Sequence, residues 1–146
     1  MAGVPVVNKI IRGTFGRLWI NGKKYANVKK YEAKVKLQYE KVDINGELCE
    51  QNRYIGYDIS GTVDLFKIDS RIAAIYKEGI VTGNLPDVKF VSKVADPAVE
   101  GAERVELYDV KFDEATLAAF ENKKITEESV PFTAGGFKYL DLIDEE

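Results

Sequence analysis

Two runs of unbroken hydrophobic–polar alternation dominate the chain. In the first, Tyr31, Ala33, Val35, Leu37 and Tyr39 take every second position, with Lys30, Glu32, Lys34, Lys36, Gln38 and Glu40 between them. In the second, Tyr57, Ile59, Gly61, Val63 and Leu65 alternate with Asp58, Ser60, Thr62 and Asp64. Period two is the signature of a strand with one dry face and one wet face. Between the runs lies the polar stretch Val42 to Arg53, with Asn45-Gly46 at its centre, and Asn-Gly between alternating hydrophobics is a strong hairpin signal. The pattern predicts one long antiparallel hairpin made of Tyr31–Tyr39 and Tyr54–Leu65. A strand from Tyr31 to Lys41 would span roughly 35 Å, while a domain of this size has a radius of gyration of about 15 Å. Either part of the hairpin projects and is covered from outside the chain, or the ribbon folds over its own core.

The remaining elements fall around that hairpin. Residues 1–12 have no clean period, yet carry the apolar clusters Val-Pro-Val-Val and Ile10-Ile11. They suit a strand along the core or an arm that packs on a neighbouring subunit. Thr14 to Ile20 reads as a strand with Gly16, Leu18 and Ile20 on one face and Phe15, Arg17 and Trp19 on the other. Asn21-Gly22 supplies a tight turn and Tyr25 to Val28 a short return strand. Val28 is out of phase with Tyr31, which suggests a bulge. After Leu65 the period changes: Ile72, Ala73, Ile75 and Tyr76 define a helix, capped by Ser70, favoured by Asp69 and closed near Gly79. Ile80 to Pro86 is loop-like. Val88 to Val94 and Arg104 to Phe112 are strands around a turn at Asp96 to Glu103, with a phase slip near Tyr108-Asp109. Asp113 to Glu121 fits a short helix or a bent strand. Thr126 to Phe137 is a last strand, bent at Gly135-Gly136, and the acidic end, residues 138–146, frays after Asp141. Strand and hairpin, helix, then hairpin again predict a mainly β protein: two packed antiparallel sheets, a β-sandwich, with one flanking α-helix and a long projecting hairpin.

Composition narrows the chemistry more than the fold. The 146 residues suffice for a single domain, 1–146, with its own core, and a 45% hydrophobic and 31% charged content fits a folded protein. With 21 basic and 24 acidic residues the net charge is −3, so no basic excess argues for nucleic-acid binding over the whole surface. Cys49 is the only cysteine, and there is no histidine, which removes the commonest neutral-pH base and the commonest zinc ligand. No apolar run approaches a membrane span, and the leader lacks the basic flank of a signal peptide. Gly13-Thr-Phe-Gly16 lacks the spacing of a phosphate loop, and in Asp43-Ile-Asn45-Gly46 the glycine falls too early for an EF-hand. Asp58 and Asp64 lie about 20 Å apart along one strand, too far for a catalytic pair. No catalytic residue, cofactor or metal is expected. Long strand edges and the aromatics Trp19, Tyr31, Tyr39, Tyr54 and Tyr57 point instead to self-association.

Gly16-Arg-Leu-Trp-Ile-Asn-Gly22, Tyr31-Glu-Ala-Lys-Val35, Gly61-Thr-Val-Asp-Leu-Phe-Lys-Ile68, Arg104-Val-Glu-Leu107, Val110-Lys-Phe-Asp113, Val130-Pro-Phe-Thr133 and Gly136-Phe137 occur in this order. No one of them is diagnostic. Together, from Arg12 to Phe137, the chain resembles the tail tube protein of PBSX-like contractile phages and the inner tube of diffocin-like R-type bacteriocins. The resemblance implies a structural, non-enzymatic β-sandwich that forms hexameric rings stacked into a tube inside a contractile sheath, similar to the tubes of other contractile injection systems. Partners implied are other copies of the chain, a sheath protein, baseplate or tail initiator proteins and a tape measure protein, with DNA only as cargo in the lumen. Such a tube is assembled in the bacterial cytoplasm and ends in a virion tail or a released bacteriocin particle.

Under that resemblance the wet hairpin faces acquire a use: Lys34, Lys36 and Gln38 of the first strand, with Asp58, Ser60, Thr62 and Asp64 of the second, would line the lumen. Val42, Asp43, Ile44, Asn45, Gly46, Glu47, Leu48, Arg53 and Tyr54 would contact a neighbouring subunit. If six subunits gave four strands each, about 24 strands spaced 4.8 Å and tilted 45° would close at a backbone diameter of roughly 50 Å. Two other classes stay open. One is a β-sandwich adaptor or binding module of a larger assembly, and the other an enzyme whose carboxylates are brought together by folding.

Overall fold

The computed structural model describes residues 6–144, so residues 1–5 of the N-terminal arm and residues 145–146 of the acidic end lie outside it. Seven strands, β1 (Gly16–Ile20), β2 (Lys23–Lys24), β3 (Val28–Val42), β4 (Gln51–Phe66), β5 (Val88–Val94), β6 (Glu103–Phe112) and β7 (Glu127–Asp141), accompany one α-helix, α1 (Arg71–Thr82). All pair antiparallel, in the order β2-β1-β5-β6-β7-β4-β3. The two layers expected are thus halves of one continuous sheet, which curls until β1 approaches β3. Inside the curl, Tyr31 of β3 stacks on Phe132 of β7 at 6.1 Å and meets Phe90 of β5 edge-on at 6.1 Å. Phe90, Phe132, Val63, Val110 and Val130 are fully buried around this contact. Tyr31 is therefore core rather than interface, and its burial raises its phenol pKa.

Alternation decides which side each residue takes. Ile59, Val63 and Leu65 turn into the core, and Gly61 between them is forced small: a β-carbon there would strike the Glu32 carbonyl oxygen and lie 2.6 Å from Phe132. Leu18 and Ile20 share one face of β1, as their spacing predicts, and that face is the buried one. The bulge anticipated after Val28 is present, with the register shifting between Val28 and Lys30. Asp109, in left-handed backbone at φ 55°, lies opposite Gly135 in the β6–β7 ladder, and a side chain on Gly135 or Gly136 would strike Asp109 or Tyr108. The phase slip at Tyr108-Asp109 and the bend at Gly135-Gly136 are thus one kink crossing two strands.

Several boundaries differ from the sequence pattern. Asn21 and Gly22 both have positive φ, as a two-residue hairpin turn requires, so the return strand starts at once, at Lys23, not at Tyr25. The first residues of α1 are capped by Asp69, whose Oδ1 accepts a 3.1 Å bond from the Arg71 amide, while the Ser70 side chain makes no such bond. The helix runs past Gly79 to Thr82 and ends on Gly83, at φ 80°. Gly79 serves packing instead, lying within 2.9 Å (from an added β-carbon) of the Leu85 backbone. Residues 113–121 form neither the helix nor the strand considered, and the last strand starts at Glu127 and continues to Asp141 through the start of the acidic end. Residues 6–9 form a single 3-10 turn, not a strand along the core.

Candidate assembly surfaces

Three surfaces follow from this arrangement. The first is the polar face of the β3–β4 ribbon. Across the ladder Glu32 pairs with Thr62, Lys34 with Ser60 and Lys36 with Asp58, so charged and hydroxyl groups stand side by side opposite the core. Gln38 donates from Nε2 to Asp58 Oδ2, and Lys34 Nζ sits 2.8 Å from Glu32 Oε1. That contact lowers the Glu32 carboxyl and raises the Lys34 ammonium pKa. Pairing with β7 extends the face through Ser129, Pro131 and Thr133, and β6 adds Lys111. Four neighbouring strands, β6-β7-β4-β3, thus present one polar wall of mixed sign.

The second surface is the far half of the hairpin. β7 pairs with β4 only from Ile59 onward, so β3 beyond Val35 and β4 before Ile59 have each other and no third strand. Their core-side alternation nevertheless continues: Val35, Leu37, Tyr39, Tyr54 and Tyr57 form an apolar strip, each close to half exposed. Tyr39 and Tyr54 meet edge-on at 5.9 Å, and Tyr57 meets Phe137 at 5.9 Å, so the strip begins where the core ends. Val42, Arg53 and Tyr54 belong to the strands, with Val42 opposite Gln51 and Glu40 opposite Arg53. Only residues 43–50 are loop, turned at Gly46 (φ 90°), where the Glu47 amide bonds the Ile44 carbonyl at 3.0 Å. Asp43, Ile44, Asn45, Gly46, Glu47 and Leu48 all lie on this exposed tip, as does Cys49.

The third surface is divided between the two ends of the strands. At the end from which the hairpin projects, Arg12 grips Asp96: its Nε and backbone amide donate to Oδ2 and its Nη2 to Oδ1, each at 2.9 Å. The Ala98 amide adds a fourth bond at 2.9 Å, and together these hold the buried Asp96 carboxyl well below the usual carboxylate range. This latch fixes where the arm leaves the domain, with Val6, Val7, Ile10 and Ile11 exposed. At the opposite end α1 closes the curl through Ile72 and Tyr76, the latter edge-on to Phe112 at 6.1 Å. Around it stand Ile80, Val81, Leu85, Leu117, Phe120 and Ile125, all exposed, with Leu117 at 87% and Phe120 at 92%. Apolar surface is thus concentrated at both ends of one axis. Among the described residues no cluster of three or more His, Cys, Asp or Glu could hold a metal, and no helix is long and apolar enough to cross a membrane.

The family model described as "Phage tail tube protein" matches residues 6–141. The chain belongs to the phage tail tube family. Among its relatives, the phage-like element PBSX protein XkdM of Bacillus subtilis (strain 168) is 32% identical over 129 residues, 87% of this chain and 88% of that protein. An uncharacterized protein of the same organism, YqbM, is 33% identical over the same span and shares. In fold, the tail tube chain superposes with a TM-score of 0.67 on a chain of the extended sheath–tube complex of the PVC extracellular contractile injection system, at 8% identity, covering 97% of this chain and 100% of that one.

Within this tail tube protein the seven residues read as lumen-lining share the polar face, and the nine read as contact residues run from the hairpin's outer ladder round its tip. Two assembly features were not anticipated. Asp96, in an Asp-Pro turn, carries no pattern that reveals a partner 84 positions away. No local pattern singles out Leu117, Phe120 and Ile125, and the stretch Asp113 to Glu121, whose sequence fits a short helix or a bent strand, forms neither.

Proposed function

We propose that this tail tube protein stacks as six-membered rings into a hollow tube, with the polar β6-β7-β4-β3 face lining the channel and the hairpin reaching a neighbouring subunit. The carrying observation is the apolar strip Val35–Tyr57, continuous with the core and left about half exposed by the described residues. A surface strip of this kind is buried when a second molecule supplies the other wall. Its location at one end of the strands, with the apolar groups around α1 at the other, suits head-to-tail contact. Heterologous contacts of that sort generate rings or open filaments rather than closed dimers.

Several finer points belong to the same reading. The polar wall turns inward because its opposite side is committed to the core. Four strands per subunit match a barrel of about 24 strands and a bore of roughly 40 Å once side chains are removed. Such a bore passes a DNA duplex or ions. The tube would be built in the bacterial cytoplasm on a baseplate or tail initiator, around a tape measure protein and within a sheath. It would then serve in a virion tail or a bacteriocin particle, as a structural conduit without enzymatic activity.

The test is concentration-dependent light scattering of the purified protein with negative-stain imaging. Rings or tubes are expected. A strictly monomeric species at millimolar concentration contradicts the proposal.

A further inference from the structure

The end of the molecule closed by α1 carries a groove of about 160 Å³, lined by Ile75, Tyr76, Ile80, Leu85, Val88 and Phe112, with Lys111, Asp113 and Glu114 also bordering it. Its volume is close to that of a cavity able to take a benzene-sized apolar group. A few branched aliphatic side chains on a single segment fit it; a two-stranded ribbon is too broad. The arm at the opposite end has the matching composition. Val6-Val7 and Ile10-Ile11 are two apolar pairs around Asn8-Lys9, and the whole segment from Val6 to Arg12 holds two cations and no acid. All four aliphatic side chains are exposed.

The arm cannot fill the groove of its own subunit. It is latched at Asp96, just past the end of β5, while Val88 in the groove wall opens that strand, a strand length of about 20 Å. Val7 lies five residues from Arg12, a reach of at most about 18 Å. We infer that residues 6–11 of one copy dock in the α1–β5–β6 groove of the next copy along the tube, apolar pairs inward. This rests on the head-to-tail assembly proposed above and names a contact within it. The Arg12–Asp96 latch then aims the arm, so that less chain freedom is lost when it docks.

Site-specific cross-linking tests this on the full chain, with Cys49→Ser as the background. Val7→Cys with Leu85→Cys, and separately Ile10→Cys with Ile80→Cys, should give a ladder of disulfide-linked multimers on mild oxidation of assembled tubes. Neither member of a pair alone should do so. Tubes that form but yield no ladder from either pair overturn the inference. Replacing Val6, Val7, Ile10 and Ile11 together by Ser should raise the concentration needed for assembly at least tenfold, with the monomer's circular dichroism unchanged. An unchanged threshold overturns it too. If the Cys49→Ser parent forms no tube at any concentration, the self-assembly reading has failed, and the arm contact falls with it.

Discussion

At the scale of single residues, the fold depends on a few positions where packing or charge leaves no freedom. Phe132 touches Tyr31, Phe90 and Gly61, and is fully buried. Phe132→Ala should cost about 3–5 kcal/mol in equilibrium denaturation, the range for deleting a buried aromatic ring. Gly61→Ala should destabilise by more than the 1–3 kcal/mol or so of ordinary overpacking, because the added carbon meets the Glu32 backbone and not a side chain that could move aside. Asp96 supplies a pH signature. Its folded pKa is held below the ordinary 3.8 by Arg12 first and the Ala98 amide next. The stabilisation is therefore fully present above that ordinary value and is lost as pH falls toward the folded one. Asp96→Ala should lower the thermal midpoint at pH 7, and the gap from wild type should close progressively below about pH 4. A gap that stays constant from pH 7 to pH 2 would show that the latch carries no charge contribution. The exposed Glu32–Lys34 pair should add little to this profile, since solvent screens it.

At the scale of elements, the hairpin is the part whose length exceeds its role in the core. Replacing residues 42–53 by a two-residue turn should leave the monomer's melting behaviour within about 1 kcal/mol of wild type, because this end has no third strand and buries little. The same change should abolish assembly, scored by sedimentation; normal tubes would make the tip dispensable. The hairpin was legible because its two strands alternate, and so were two of the register shifts, which show as slips of phase at Val28 and at Tyr108-Asp109; those between Gln38 and Tyr39 and between Arg104 and Val105 were not. What escaped was fixed by neighbours rather than by local pattern. Gly79 looked like a helix end, yet α1 continues through it to Thr82, and Gly79 is small because the Asn84-Leu85 backbone lies against it. The single curled sheet was not readable either: β6 pairs with both β5 and β7, and no local period reports such joins. Tyr31 looked like interface material because the stacking partner that buries it, Phe132, is a hundred residues away.

At the scale of the whole molecule, a polar wall, an uncovered apolar strip and two apolar ends make sense together only in an assembly. Six copies of Asp58 and Asp64 around a ring would sum to a potential that one subunit cannot produce, with Lys34 and Lys36 of the adjacent strand offsetting part of it. Changing Asp58 and Asp64 together to Lys should leave tubes intact, since both side chains lie off the core face, and should alter what passes: slower DNA exit from a phage, or a shifted ion preference in a bacteriocin. The central claim is the orientation of that wall, and the most direct measurement is a cryo-electron microscopy reconstruction of the assembled tube. It should place Lys34, Lys36, Gln38, Asp58, Ser60, Thr62 and Asp64 on the inner surface, with the hairpin strip against a neighbouring subunit. A map with those side chains on the outer surface, facing the sheath, would contradict the account.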